Sequence, residues 1–269
     1  NKKYEVNVIG IHGQTLFHDD KTKISIQLFD KKLNLNNPIP VICNFRKNDL
    51  LNGGFGAPII PIYHQLIHQK LNNKNSVFVN IGGVTNITII NQEGIFAGDT
   101  SFGNALVNDL IKKKFNFEMD EDGYISGQGL VNESIIDLIL SDPFFSRSLP
   151  KTLDRNYFHK YLEQLQAMDK TENIINSLLE IVPISIEKLI FDTDPTIILC
   201  GGGRKNLTLQ KLFRQHFKDV HSIDEYGLDG DYIESQGMAL LSIRYLMRKK
   251  STFTSTTGVK REVYLGERC

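Results

Sequence analysis

Residues 80–88 read NIGGVTNIT and residues 98–104 read GDTSFGN. The pair Gly82-Gly83 lies between two apolar, alternating runs, as in a two-residue hairpin that needs positive φ and takes it from glycine. The same glycines, with Asn80 beside them, would let backbone N–H groups approach a phosphate with no side chain in the way. Asp99 follows a strand and precedes small residues. There it can cap a helix starting near Gly103-Asn104, bind Mg2+, or accept a proton from a nucleophile. A plain turn with a cap, and a phosphate cradle with a carboxylate aimed into it, are both open at this point.

A second stretch, ILCGGGRKN, runs an apolar strand into Gly201, Gly202 and Gly203 and then into a capped helix. Ligands of open α/β sheets sit at such strand ends. The pattern is not GxGxxG, and no acidic residue stands at the dinucleotide spacing, so a Rossmann site is excluded. Glycines here would let a flat ring lie on the backbone; tight packing is the alternative. GIHGQT and NFRKNDLLNGGFGAP concentrate polar groups, and His12, Gln14, Arg46 and Asp49 suit a polyhydroxylated ligand, or else a capped turn and a surface ion pair. His64 and His68 are spaced as in HExxH, but Gln65 replaces the glutamate. We expect a pair on a helix surface and no metal site.

These residues need elements to hold them. Strand-like runs are EVNVIGI, KISIQLF, IPVICNF, SVFVNIGG, VTNITII and TIILCGGG. Helices are expected from Pro58 or Pro61, after Asn104, over ENIINSLLEIVPISIEKLI with a kink or break at Pro183, after an Asn206 N-cap, and over DGDYIESQGMALLSIRYLMRK. The result is an α/β chain with mixed sheets. KLNNKNS, residues 70–76, is the expected boundary between a first lobe, 1–72, and a second, 73–269, with an irregular tail lying across the body. Lys+Arg and Asp+Glu are both 31 in 269 residues, which removes the charge argument for nucleic acid or an anionic membrane. No apolar run approaches a bilayer span. Cys43, Cys200 and Cys269 are far apart, so reduced thiols in a cytoplasm-like compartment are expected. The chain opens at Asn1 directly before a strand-like run, and a segment upstream of it is expected.

The order of the motifs is more specific than any one of them. GxHGQT, FRxxD-x(3)-GGxGAPxxP, NIGGxxNIT, DTxxGN, CGGGxxN and DGDxxE follow one another, with DGYISGQGLVNE and DPFFSRSLPKTLDR between them. From VIGIHGQT to STTGVKREVYLGE, nearly the whole chain resembles the anhydro-N-acetylmuramic acid kinase family. That resemblance implies the two-lobed actin-like, ribonuclease H-like ATPase fold. It also implies a reaction in peptidoglycan recycling, in which Mg-ATP phosphorylates O6 of 1,6-anhydro-N-acetylmuramic acid while water opens the ring at C1. Carried onto this chain, Asp99 is the general base, and Asn80, Gly82 and Gly83 form the second phosphate hairpin. Gly201, Gly202 and Gly203 face adenosine, and His12, Gln14, Arg46 and Asp49 lie on or near the sugar side. A homodimer is implied as well.

Three departures from the family pattern bear on activity. The glycine- and serine/threonine-rich hairpin that grips ATP phosphates in the family has no counterpart among these residues, so the first lobe is expected to be incomplete, with an edge prone to association. Ser101-Phe102 stands where the family has Gly-Pro, and is expected to shift Asp99 and crowd the sugar. Pro183 falls in a helix that the family keeps continuous. Beside a working kinase stand a remnant that keeps only ligand binding or the fold, another sugar kinase, and an actin-like scaffold; the retained carboxylate and glycine turns favour the kinase.

Overall fold

In the run Ser76–Ile81, Val77, Val79 and Ile81 enter one hydrophobic cluster while Phe78 enters another. Ile197 and Leu199 likewise part from Ile198 and Cys200. Strands apolar on both faces belong in the middle of a covered sheet. The computed structural model describes residues 5–29, 38–71, 73–190 and 194–269, and it places both runs there. The described strands are β1 (Ile9–Gly10), β2 (Gln14–Asp19), β3 (Ile24–Leu28), β4 (Val41–Cys43), β5 (Ser76–Ile81), β6 (Val84–Asn91), β7 (Gly94–Phe102), β8 (Thr196–Cys200), β9 (Val220–Ser222) and β10 (Glu267–Arg268). The helices are α1 (Lys47–Leu51), α2 (Pro61–Leu71), α3 (Asn104–Phe115), α4 (Glu133–Leu140), α5 (Leu162–Met168), α6 (Thr171–Glu187), α7 (Leu207–His216), α8 (Ile233–Leu246) and α9 (Thr254–Thr257).

The main sheet has the order β7-β6-β5-β8-β9. β6 is antiparallel to both neighbours, and β5, β8 and β9 are parallel. Counted from β5, this is third-second-first-fourth-fifth with an inverted second strand, the sheet of the ribonuclease H-like fold. One face carries α3, α4, α6 and α7 over a core that includes Leu106, Ile139, Leu178 and Phe213. The other carries α2 and α8 with a small sheet, β1-β4-β10. The tail does lie across the body: β10 pairs antiparallel with β4, joining the two ends of the described chain. The second cluster draws Ile42 and Phe45 together with Phe78 and Ile198, from both sides of residue 72. Asn72, inside the expected lobe boundary, lies outside the described residues. No helix among the described residues is long and apolar enough to cross a membrane.

Several expectations are corrected. β2, β7 and β9 are strands that lacked an apolar signature, and EVNVIGI contributes only the two residues of β1. α6 runs unbroken through Pro183. A mid-helix proline costs about 3 kcal/mol, but Ile174, Ile175, Leu178, Leu179, Ile181, Val182 and Ile186 are buried around this helix, and their packing outweighs it. His64 is not on a surface: it is buried, stacks on Phe78 at 4.7 Å, and its Nδ1 is 2.8 Å from Thr88 Oγ1. Burial pushes its pKa down to about 3. Phe102 does not crowd a ligand, because it packs edge-on against Phe158 in the core. Cys43 and Cys269 are joined rather than reduced: the β4–β10 pairing sets Cys269 N 3.0 Å from Val41 O and brings the two side chains together. Cys200 remains free and buried.

Candidate active site

The β5–β6 turn consists of Gly82 and Gly83, as the alternation requires. Neither takes the positive φ expected of such a turn. Nor does packing need glycine here: a Cβ at Gly82 would meet only Val84 O at 3.6 Å, and one at Gly83 only Ala105 Cβ at 3.8 Å and Arg155 Nε at 4.0 Å. The turn's carbonyls are held by the start of α3, with Asn104 N donating to Gly82 O at 2.8 Å and Gly103 N to Gly83 O at 3.1 Å. Among the described residues, then, no φ and no close neighbour demands glycine at either position of the turn.

Asp99 lies inside β7 rather than in a loop. Thr85 pairs with Ser101 but Asn86 pairs with Asp99, so Thr100 is an extra residue and the strand bulges there. Bulges re-aim side chains. Across β7 runs a strap, residues 151–155. Lys151 O accepts from Asp99 N at 2.8 Å, and Leu153 N donates to Asp99 Oδ2, also at 2.8 Å. Burial pushes the Asp99 carboxyl up to about 7, against the pull of the Leu153 N–H, the Arg46 guanidinium and Lys151. The Lys151 amine is itself buried, donates to Phe144 O at 3.1 Å, and is lowered to about 8 by desolvation and then by Arg147.

Arg46, at the start of α1, is the hub of the other wall. Its Nη1 donates to Gly56 O at 2.8 Å, its charge acts on Asp99, His12 and His18, and it is itself favoured by the nearby Glu234, Asp99 and Asp49 carboxylates. Burial, then Arg46, lowers His12 to about 4 and keeps its ring neutral; burial and Arg46 lower His18 in the same way. Among the described residues, Arg46 Nε and His12 Nε2 are buried without a hydrogen-bond partner. Such groups are costly unless something supplies the missing bonds. Asp49 behaves differently. It is fully buried, and its two oxygens accept from Gly56 N at 2.7 Å and Thr257 Oγ1 at 2.6 Å, so it fastens the Arg46 loop to the tail. Gln14 opens β2 and is exposed.

At the end of β8, Gly201 has φ +72°, and a Cβ there would lie 2.6 Å from Asn80 Oδ1. Gly203 sits against the Ile81 side chain with no room for a Cβ, whereas a Cβ at Gly202 would meet nothing nearer than Asn104 Nδ2 at 3.9 Å. Arg204 clamps this turn: Nε is 2.7 Å from Asp224 Oδ2, Nη1 is 2.9 Å from Asp231 Oδ1, and Nη1 also donates to Gly201 O at 3.0 Å. Arg204 holds the Asp224 carboxyl far below the usual range.

The expected residues therefore gather at one end of the main sheet, where β5 and β8 finish. Gly82, Gly202 and Gly203 lie about Asn104, Asn80 lies against Gly201, and Arg46 acts on both Asp99 and His12. His18, Lys151, Arg204 and Glu234 were not singled out from the sequence. Lys151 lies within DPFFSRSLPKTLDR, Arg204 within ILCGGGRKN and Glu234 within DGDxxE, and only Glu234 stands at a position that its motif specifies. A cavity of about 700 Å3 opens at the opposite end of the sheet, between Asn75–Val77, Ile89–Glu93 and Phe145–Leu149, and none of the site residues lines it. Among the described residues, no group of three or more His, Cys, Asp or Glu side chains is placed to hold a metal ion.

The sequence profile described as anhydro-N-acetylmuramic acid kinase matches residues 2–268. The protein of that name from Pelagibacter ubique is 36% identical over 276 residues, covering 97% of this chain and 73% of its own length. The one from Gluconobacter oxydans is 33% identical, covering 97% and 74%. Among solved structures, the activator of the 2-hydroxyisocaproyl-CoA dehydratase from Clostridium difficile with bound ADPNP aligns at a TM-score of 0.41 and 14% identity, over 65% of this chain and 62% of that one. The Acidaminococcus fermentans (R)-2-hydroxyglutaryl-CoA dehydratase component A aligns at 0.44 and 11%, over 70% and 69%. Overlays at these scores establish no shared fold on their own. The sequence matches are long and nearly complete along this chain, and by them the chain belongs to the anhydro-N-acetylmuramic acid kinase family.

Proposed function

We propose that this chain uses ATP to phosphorylate O6 of 1,6-anhydro-N-acetylmuramic acid as water opens the anhydro ring. One observation carries the reading: a buried carboxylate, Asp99, feels the Arg46 guanidinium, which also acts on His12, and buried nitrogens of Arg46 and His12 lack partners among the described residues. A sugar bearing hydroxyl, ether and carboxylate oxygens would supply them. Asp99 takes a proton from the attacking water as the water oxygen bonds to C1. The C1–O6 bond breaks, and its electron pair stays on O6. O6 then bonds to the γ-phosphorus, the bond from that phosphorus to the β–γ bridging oxygen breaks, and ADP leaves. A carboxyl with a pKa near 7 is matched to this task at neutral pH.

The open Gly82-Gly83 turn, with Asn80, would hold the phosphates, and Gly201, Gly202 and Gly203 the adenosine. His12, Gln14 and Arg46 would face the sugar, with Asp49 fixing the Arg46 loop. Mg2+ usually needs one or two carboxylates beside the nucleotide's own phosphates, which is compatible with a site that gathers no metal cage; bound there, it would neutralise phosphate charge. The reaction would take place in the cytoplasm, where ATP is plentiful, in a homodimer. Leu16, Phe17, Ile26 and Leu28 on the exposed β2–β3 hairpin are available for contact with a second copy.

The test is turnover of Mg-ATP and the anhydrosugar, followed by mass spectrometry of the sugar. A ring-opened 6-phosphate, lost in Asp99→Asn by about 10²–10⁴ as expected for a general base, supports the reading. Wild-type protein that makes no product, or an Asn variant as fast as wild type, refutes it.

A further inference from the structure

The strap that holds Asp99 continues for two residues to Arg155, and that side chain has no task in the scheme above. Leu153 N is fixed on Asp99 Oδ2 at 2.8 Å, and Thr152 Oγ1 on Asp20 Oδ2 at 2.8 Å, so the backbone leading to Arg155 is anchored twice. The side chain then crosses to the phosphate turn, where its Nε lies 4.0 Å from where a Cβ of Gly83 would stand. Glycine at 83 is required neither by φ nor by packing. A Cβ there would only touch the guanidinium at ordinary contact distance, so the Arg155 head lies alongside the bare backbone of the turn.

We infer that Arg155 is a catalytic residue, closing over the Gly82-Gly83 turn to neutralise charge on the phosphoryl group during its transfer. The inference rests on the kinase reading above and adds to it a cation supplied from the strap of the general base. Two features leave Arg155 free for this. Its only ion partner among the described residues is Asp109, at 3.6 Å, beyond hydrogen-bond length, and the Asp109 carboxylate is already engaged by His159 Nε2 at 2.7 Å. Its side chain is 57% exposed, so the pair is loose and inexpensive to break. Lys151, in the same strap, cannot substitute, since its amine is buried 4.4 Å over the Phe144 ring. A planar guanidinium can span two phosphoryl oxygens at once, which an ammonium cannot. One strap would thereby couple two events: the base that starts ring opening and the cation that accepts the phosphoryl charge move as a unit.

The experiment uses the full chain as wild type, Arg155→Gln, Arg155→Lys and Asp109→Asn. Binding of Mg-ATP and Mg-ADP is measured by calorimetry, and turnover by product formation. Arg155→Gln should lower kcat by on the order of 10³, the effect of removing an arginine that stabilises transferring phosphate, with the anhydrosugar KM within about threefold of wild type. The preference for ATP over ADP should shrink, and Arg155→Lys should recover little of either. Asp109→Asn should stay within about threefold of wild type in kcat. If Arg155→Gln keeps wild-type kcat and ATP preference, the inference is overturned while the kinase reading stands. If Asp109→Asn loses as much as Arg155→Gln, the ion pair and not a phosphate contact is responsible, and the inference is again overturned. Wild-type protein that binds neither nucleotide removes the kinase reading and this inference with it. If ATP binds without turnover, the ATP-to-ADP ratio still decides.

Discussion

Asp99→Asn should slow the protein and, near neutral pH, make it more stable. The carboxyl rises from 3.8 to about 7 on folding, mainly through burial. An acid with a raised folded pKa binds more protons folded than unfolded between the two values. Its contribution is therefore intact below about 4 and is lost as pH climbs to about 7. At 1.36 kcal/mol per unit, a shift of about three units makes the ionised side chain on the order of 4 kcal/mol less stable than the neutral one. Asparagine has the same shape and keeps an oxygen for the Leu153 N–H. The pull of Arg46 and Lys151 on the carboxylate is already contained in the value of about 7, so the figure is a net one.

The slope is therefore the quantity to measure. Urea unfolding of both proteins at pH 5, 6, 7 and 8 gives the stability difference at each. It should move in favour of Asn by about 1.4 kcal/mol per pH unit up to about 7 and then level. Starting at pH 5 avoids His12, which titrates near 4, and stopping the slope at 7 avoids Lys151, near 8. A difference flat across this range would mean that Asp99 is not held in a desolvated site. A carboxylate stabilised by its cations would also give a flat difference here, because its slope would lie below about pH 4. A flat result would remove the argument that burial tunes the base.

The same shift fixes a pH–rate profile: kcat/KM should fall about tenfold per unit below pH 7, and a plateau down to pH 5 would exclude a base of raised pKa. Gly82→Ala should leave the melting temperature unchanged or slightly raised, since neither φ nor space opposes it, yet weaken ATP binding; Gly203→Ala, which drives a Cβ into Ile81, should cost about 1–3 kcal/mol of stability. Asp49→Ala should cost about 2–4 kcal/mol, measured by denaturation, because Gly56 N–H and Thr257 Oγ1 lose their buried acceptor.

β5, β6 and β8 were legible because they alternate between two apolar clusters, and α3 and α7 because their apolar faces repeat at helical spacing. β7 was not, since GIFAGDTSF has two glycines and a buried acid. It is a strand because β6 pairs with it along its length. The kink expected at Pro183 assumed a helix judged by local cost, whereas α6 is decided by burial on most of its circumference. His64 and the Cys43–Cys269 pair were misjudged for the same reason, as both depend on what another element brings. Within the site, Asp99 and the glycines announce themselves by type and spacing. The strap, His18 and Arg204 do not, because each acts through a partner far away in sequence: Asp99, Arg46 and Asp224 respectively.

That distance also explains what the ordered motifs encode. FRxxD and the STTG of the tail meet through Asp49 and Thr257. CGGG and DGD meet through Arg204, which leaves no room for a side chain at Gly230. NIGG and the GN before α3 meet through Asn104 and Gly82. Much of each motif is thus scaffold, and Gly54, Gly203 and Gly230 are glycine because a neighbouring side chain occupies the place of their Cβ. Gly82, Gly83 and Gly202 have no such neighbour and no left-handed φ. All three stand around Asn104, at the edge of the site that holds Asp99. Among the described residues no packing contact requires glycine at these positions, and the proposed nucleotide contacts would use that space, with a ligand approaching the backbone more closely than a Cβ would allow.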